Sequence, residues 1–308
     1  MISKKFILGG GISSLIFAYY NRDYTIISPD IGGQLNMNFS PPKIIHANKY
    51  TEKLLVDLGL SCDLDKATMR YVKDRKILER LTNEDRLNFI NKKMCEFDKP
   101  YNAMRFDDTK LSVEENYINH YKTPMNDLML KLKESVFDYT EHMKRKVILI
   151  NTTNKTITLD NYETIPYSHI VSTMPANDFC HIAWDYAKEK PLRYIPVTYI
   201  YADSLIDYIA DPDSADWWYI CDRNVPFNRI SKINGNYVYE CTGLMTRDVV
   251  EHIIGPQHIV GYSIQRVGVI FTNEMKDTES IMFLGRLAQY HHSVKIQDVI
   301  EKSIRGVI

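Results

Sequence analysis

Lys4-Lys5-Phe6-Ile7-Leu8-Gly9-Gly10-Gly11-Ile12-Ser13-Ser14-Leu15-Ile16-Phe17-Ala18 carries, in order, the residue types of a buried strand, a glycine turn and the start of an apolar helix. That order predicts a strand–turn–helix unit that binds a dinucleotide. Gly9 allows a tight turn, Gly11 lets the backbone approach a pyrophosphate, and a helix from about Ile12 aims its free N–H groups and positive dipole end at the phosphates. The third glycine of the usual pattern is replaced by Ser14, still small enough for the helix to pack closely on the strand. A second strand follows, Tyr24-Thr25-Ile26-Ile27-Ser28, and then Ile31-Gly32-Gly33-Gln34. Such a unit commonly ends its second strand in an acid that binds a ribose hydroxyl. Ser28 stands there, and Asp30, two residues on, can substitute for the acid. The other reading is that these glycines only shape a turn in an α/β domain without a cofactor.

Composition narrows the function classes. With 308 residues the chain can bury a large core, as one large domain or two closely connected ones. A hydrophobic fraction of 44% and a net charge of −1 are those of an ordinary soluble protein. The lack of basic excess argues against stable nucleic-acid binding as its main task. Five cysteines, odd in number and without a C-x-x-C pair, argue for a reducing compartment and against a disulfide framework or zinc site. No metal is expected at His291-His292 either, because adjacent residues point apart and no nearby Cys or Asp completes a tetrahedron. No stretch reaches about 18 apolar residues, and glycines interrupt the only signal-like segment, so the cytoplasm is the expected location.

Along the chain, Lys49 to Leu60 has helical spacing with a stop at Gly59, residues of about 75–100 read as short charged helices, and Pro124 to Phe137 reads as an amphipathic helix. The period then changes to two. Val147–Ile150 and Lys155–Leu159 predict a hairpin, and His169–Ser172 a strand that stops at Thr173-Met174-Pro175. From Val197 to Thr272 strand patterns dominate, including Val197–Tyr201, Trp217–Ile220 and Tyr237–Glu240, which predict an antiparallel sheet. The chain closes with strand Ile281–Phe283, a glycine junction at Gly285 and a helix from about Lys295. A second strand-to-helix junction so late suggests that the end folds back onto the cofactor.

Several blocks in this order resemble the UDP-galactopyranose mutase family, within the wider amine-oxidase-like FAD superfamily. Gly285-Arg286-Leu287-Ala288-Gln289-Tyr290, with Asp298-Val299-Ile300 after it, is similar to the family's G-R-L-A-E-Y block and Q-V-I helix. Val225-Pro226-Phe227-Asn228-Arg229-Ile230 is similar to its V-P-Y-x-R-I strand, Ile45-His46-Ala47-Asn48 to I-F-H-T-N, and Met104-Arg105-Phe106 to P-V-R-F. The resemblance implies an α/β fold: an FAD-binding Rossmann-type domain with a parallel sheet, an antiparallel-sheet substrate domain and a small helical segment. Residues 1–60 and 276–308 would form the FAD-binding parts, 61–140 the helical substrate-side segment, 141–180 the return to the FAD domain, and 181–275 the substrate sheet.

In that family reduced FAD attacks the anomeric carbon of a UDP-sugar through flavin N5, and arginines hold the diphosphate with their planar fork of donors. The resemblance therefore implies FAD as cofactor, bound by Gly9, Gly11, Ser14, Ser28, Asp30, Gly32, Gly33, Gln34, Gly285 and Arg286. Arg229 and Arg286 would face the diphosphate or flavin, and His46 would sit near N5. Arg105, Tyr219 and Tyr290 are further candidates on the substrate side. Arg229 and Arg286 can equally be interstrand ion-pair partners, and His46 a satisfied core histidine. Two departures bear on the substrate: the family's uridine-holding insertion has no counterpart, and His291-His292-Ser293-Val294 replaces its aromatic and acidic pair.

Three functions fit these residues. The first is a mutase-like flavoenzyme acting on a nucleotide-linked sugar without net redox change. The second is an amine-oxidase-type enzyme taking hydride from an amine or a modified nucleotide or nucleobase. The third is a binding protein on the same scaffold without catalysis. The sequence leaves the oligomeric state open.

Overall fold

The computed structural model describes residues 4–33, 44–79, 81–85, 88–89, 117–183, 192, 194–233, 235–270, 275–291 and 293–306. The first half of the chain contains β1 (Lys5–Leu8), α1 (Ile12–Tyr20), β2 (Thr25–Ile27), β3 (Ile45–His46), α2 (Lys49–Asp57), β4 (Leu64–Lys73), β5 (Lys76–Ile77), β6 (Tyr117–Tyr121), α3 (Met125–Phe137), β7 (His142–Met143) and β8 (Val147–Asn151). Next come β9 (Thr156–Leu159), β10 (Thr164–Pro166), β11 (His169–Ser172), α4 (Ala176–Ile182), β12 (Tyr194–Ala202), β13 (Trp217–Ile220), β14 (Arg229–Ile233) and β15 (Asn236–Thr242). The last elements are α5 (Arg247–Ile254), β16 (Ile259–Ile270), β17 (Ile281–Phe283), α6 (Arg286–Gln289) and α7 (Ile296–Arg305).

β1 reads as an unbroken apolar run because both faces of its sheet are covered. It lies at the centre of a five-stranded parallel sheet, in the order β17-β11-β1-β2-β7. Ile7 faces a core built with Leu15 and Phe17 of α1, Leu128 and Leu132 of α3, and Val299 and Ile300 of α7. Phe6 and Leu8 face the opposite core, with Ile157 and Leu159 of β9 and Phe179 of α4. The predicted hairpin is present as β8 and β9, extended to three strands by β10.

The second sheet has nine strands. Its order is β16-β12-β15-β14-β13-β4-β6-β3, with β5 on β4. Neighbours are antiparallel except β13 and β4, which run parallel. One face carries Ile200, Trp218, Ile230 and Tyr239 into a core closed by Val250 and Ile254 of α5. The opposite face carries polar and aromatic groups, among them the buried Tyr71, Tyr199 and Glu240.

Two expectations need correction. The segment 61–140, expected to be helical, contains the ten-residue β4 together with β5 and β6. β4 hides its period because it changes partner along its length: Leu64–Thr68 pairs with β6, whereas Met69–Val72 pairs with β13, so charged and apolar residues do not alternate simply. The short charged helices expected over about 75–100 are described only at 83–85 and 88–89, after strand β5, and residues 90–100 lie outside the described set. α5, in the stretch read as strands, was not foreseen; Val250 and Ile254, four apart, form its buried stripe. α2 matches its reading closely. Asn48 caps it by accepting from Tyr50 N (3.0 Å) and Thr51 N (3.1 Å), and the chain leaves it at Gly59 with φ +67°.

Candidate active site

The turn after β1 is made of backbone packed on backbone. Gly9, at φ +110°, donates its N–H to Ile27 O (3.0 Å), and a Cβ there would lie 2.5 Å from Thr173 Oγ1. A Cβ on Gly10 would lie 2.0 Å from Asp30 O. Gly11 is different. It caps α1 at φ −79°, with no side-chain cap and no acid in the first helical turn, and among the described residues a Cβ there would meet nothing within 4 Å. No described residue therefore fills the space at the positive end of a nine-residue helix, where free N–H groups favour an anion.

The neighbours of this turn hold it in place. Ser14 is fully buried, with Oγ 2.7 Å from Gly9 O and 2.6 Å from Thr173 Oγ1, so it ties α1 to the ends of β1 and β11. Gly32 donates its N–H to Gly10 O (2.7 Å), and a Cβ on Gly33 would lie 3.1 Å from Gly11 Cα, so the second glycine turn rests on the first. The Ser28 hydroxyl donates to Asp30 O (2.6 Å), while Asp30 itself is exposed just beyond β2.

The end of the chain closes against the same turn. β17 pairs with β11, Leu284 N donates to Ser172 O (2.9 Å), and buried Gly285 turns at φ +94°. A Cβ on Gly285 would lie 2.5 Å from Ser13 Oγ, in the first turn of α1. Gly285→Ala should therefore destabilise the protein by about 1–3 kcal/mol, through backbone strain and the contact with Ser13. Urea unfolding measures this, and adding Ser13→Ala should recover part of the loss; an unchanged midpoint in Gly285→Ala would show that the junction is looser than drawn.

The face of the nine-stranded sheet opposite the core closed by α5 carries a row of directly opposed residues. It runs Tyr71 (β4), Tyr219 (β13), Arg229 (β14), Glu240 (β15), Tyr199 (β12) and Ser263 (β16). Directly opposed residues share a face, so the row is continuous along one side of the sheet. Tyr71 and Tyr219 stack with centroids 5.3 Å apart, and Phe89 meets Tyr219 edge-on at 5.6 Å. Arg229 Nη2 donates to Glu240 Oε2 at 2.7 Å, and its guanidinium lies 5.6 Å from the centre of the Trp217 ring. Burial works against the Arg229 charge, but Glu240, Tyr199 and a hydrogen bond with Tyr219 more than offset it, leaving a pKa above the ordinary arginine value.

α6 brings Arg286 to this row from the other sheet. It is half-buried, and its charge is felt by Tyr199, Glu240 and Arg229. Burial lowers its pKa below the ordinary value, and the Arg229 charge acts in the same direction. Burial, with the Glu240 charge adding to it, raises the Tyr199 phenol well above its usual value; its hydroxyl donates to Gln265 Oε1 (3.2 Å). Two guanidinium groups thus meet one carboxylate and a neutral phenol at the join of the two sheets.

No protein-family model and no curated protein matches the sequence. Solved structures match over its full length. Reduced UDP-galactopyranose mutase superimposes with a TM-score of 0.70 at 13% identity, covering 100% of this chain and 93% of that one. This chain has the UDP-galactopyranose mutase fold. A CLA-producing fatty acid isomerase from P. acnes shares it at TM-score 0.64 and 10% identity, over 99% of this chain and 97% of that one. Putrescine oxidase bound to putrescine does so at 0.59 and 9%, over 99% and 98%.

Within the mutase fold, the glycine turn, Gly32-Gly33 and Gly285 come together around α1, while Arg229, Arg286 and Tyr219 come together on the sheet face. Arg229 has the interstrand partner that was its alternative reading. His46 is half-buried in β3, opposite His120 of β6, and its carbonyl accepts from Asn48 Nδ2 and Thr51 Oγ1. Tyr290, expected on the substrate side, is fully buried against Ala176: it ends α6 in the left-handed conformation (φ 52°, ψ 45°), which turns the ring into the core. Gln34 and Arg105 lie outside the described residues. Trp217, Tyr199 and Glu240 lie in the strands read as the antiparallel substrate sheet, but Tyr199, Glu240 and Tyr71 were not singled out there; the local signal for Glu240 was a lone acid in the apolar stretch Tyr237–Cys241. Among the described residues no three His, Cys, Asp or Glu side chains converge as metal ligands, and no helix is long and apolar enough to cross a membrane.

Proposed function

We propose that the protein is a flavoenzyme that binds FAD noncovalently between the Gly9–Gly11 turn and Gly285, and acts on a nucleotide-linked sugar at the face of the nine-stranded sheet. The observation that carries this reading is the space over Gly11 that no described residue fills, at the uncapped end of α1, with Gly285 packed on the same helical turn. A pyrophosphate suits that space, because it needs close approach to backbone and several N–H donors rather than a side chain. Bound FAD would supply a flavin N5 able to attack carbon when reduced or to accept hydride when oxidised. Arg286 would hold the anionic part of the substrate, Arg229 and Tyr219 would frame it, and His46 is the candidate side chain near the flavin. Gln34, Asp30 and Arg105 complete the proposed set.

An amine-oxidase-type reaction is the second reading. The aromatic walls at Tyr71, Tyr219 and Trp217 favour it, since they exclude water and accept planar or apolar groups.

Purified protein should be yellow and release FAD on denaturation. Colourless protein that takes up no added FAD would remove both enzymatic readings and leave a binding protein. Dithionite-reduced protein incubated with sugar nucleotides should yield a pyranose–furanose product on chromatography, whereas bleaching of oxidised flavin by amines would select the second reading. UDP-galactose should be a poor substrate, because the uridine-holding insertion has no counterpart in this chain.

A further inference from the structure

The family resemblance would have Arg229 and Arg286 hold a diphosphate together, but the sheet gives Arg229 a carboxylate of its own. Glu240 is its directly opposed neighbour, at 2.7 Å, and the two side chains are only 11% and 21% exposed. Exposed pairs such as Lys5–Asp23, at 41% and 63%, are screened by water and contribute little to the local field. Arg229 and Glu240 are not screened in that way. Trp217 and Tyr219 also contact the guanidinium, so swinging it away from the carboxylate toward a ligand would lose these contacts. A doubly charged anion drawn to the arginines therefore meets a fixed negative charge one strand away.

We infer that Glu240 is a specificity-determining residue of this site: by cancelling the charge of Arg229 it disfavours doubly charged anions and favours substrates joined through a singly charged group, such as a phosphodiester. This rests on the reading of the sheet face as the substrate site, and it narrows the nucleotide-linked class to compounds with one negative charge at the linkage. Glu240 acts through Arg229 and through the local field, without contacting the reacting atoms.

Calorimetric titration of the protein with two probes tests this: UDP-galactose, with two charges on its diphosphate, and the methyl ester of UMP, with one. The wild type should bind the ester at least as tightly as UDP-galactose. Glu240→Gln should shift the preference toward UDP-galactose by about tenfold, because one uncancelled positive charge acts more strongly on a dianion. Arg229→Gln, which leaves the carboxylate uncancelled, should shift it about tenfold the other way. The double variant should return to the wild-type preference. Equal effects of Glu240→Gln on both probes, a shift that persists in the double variant, or binding of neither probe would overturn the inference. Should Glu240→Gln not fold, the Arg229→Gln shift and its reversal in the double variant decide the matter, and absence of either overturns it. Calorimetry reads binding with or without flavin, so colourless protein would count against the flavoenzyme reading alone.

Discussion

Gly11→Val yields a folded protein that takes up no FAD. The two halves of this expected result have separate causes. Gly11 sits at φ −79°, which any L-residue adopts, and among the described residues a Cβ there meets no atom within 4 Å, so the variant has little reason to lose stability. The same space is where a pyrophosphate would approach the first N–H groups of α1, and a valine side chain fills it. Gly10→Ala is the matching control. Its Cβ would lie 2.0 Å from Asp30 O, a backbone atom that cannot step aside alone, so this variant should lose stability whether or not FAD is present. Thermal melting of both apoproteins, with flavin titration followed by absorbance, separates the cases. FAD affinity unchanged in Gly11→Val would mean that the turn is not the cofactor site.

Arg286→Ala should weaken cofactor or substrate binding by roughly 2–5 kcal/mol, the range for removing one partner of a buried charge interaction. The apoprotein should melt near the wild-type temperature. Burial and the neighbouring Arg229 charge both make the Arg286 cation costly in the empty protein, so the fold gains little from it, and a bound anion is what would offset that cost. Arg286→Lys should recover only part of the loss, because an ammonium cannot reproduce the planar fork. A sharp fall in apoprotein melting temperature with binding unchanged would instead make Arg286 a structural ion-pair partner.

Much of the fold was legible because its signals are local. The β1 run, the glycines and the small residues at the start of α1 act within a dozen positions, and Asn48 and Gly59 bound α2 through bonds to residues beside them. β11, β13 and β17 were found with their ends unchanged, since a short apolar run between polar or turn residues has few other solutions. β4 and α5 were not: the first is charged and divides its pairing between two partners, and the second lies in a stretch whose strand content masks a two-residue apolar stripe.

The site divides along the same line. Sequence alone determined the glycine turn and the Gly285-Arg286 junction, because the backbone geometry each requires is specified by adjacent residues. Tyr290 shows the limit of such reasoning: it is four residues from Arg286, yet a single left-handed residue sends its side chain into the core. The row Tyr71, Tyr219, Arg229, Glu240, Tyr199 exists only in the tertiary structure. Its members lie up to 169 positions apart in the chain and become neighbours because strand order and register, not sequence distance, decide which side chains face one another. A one-residue slip in any of those strands would have sent that strand's member to the opposite face.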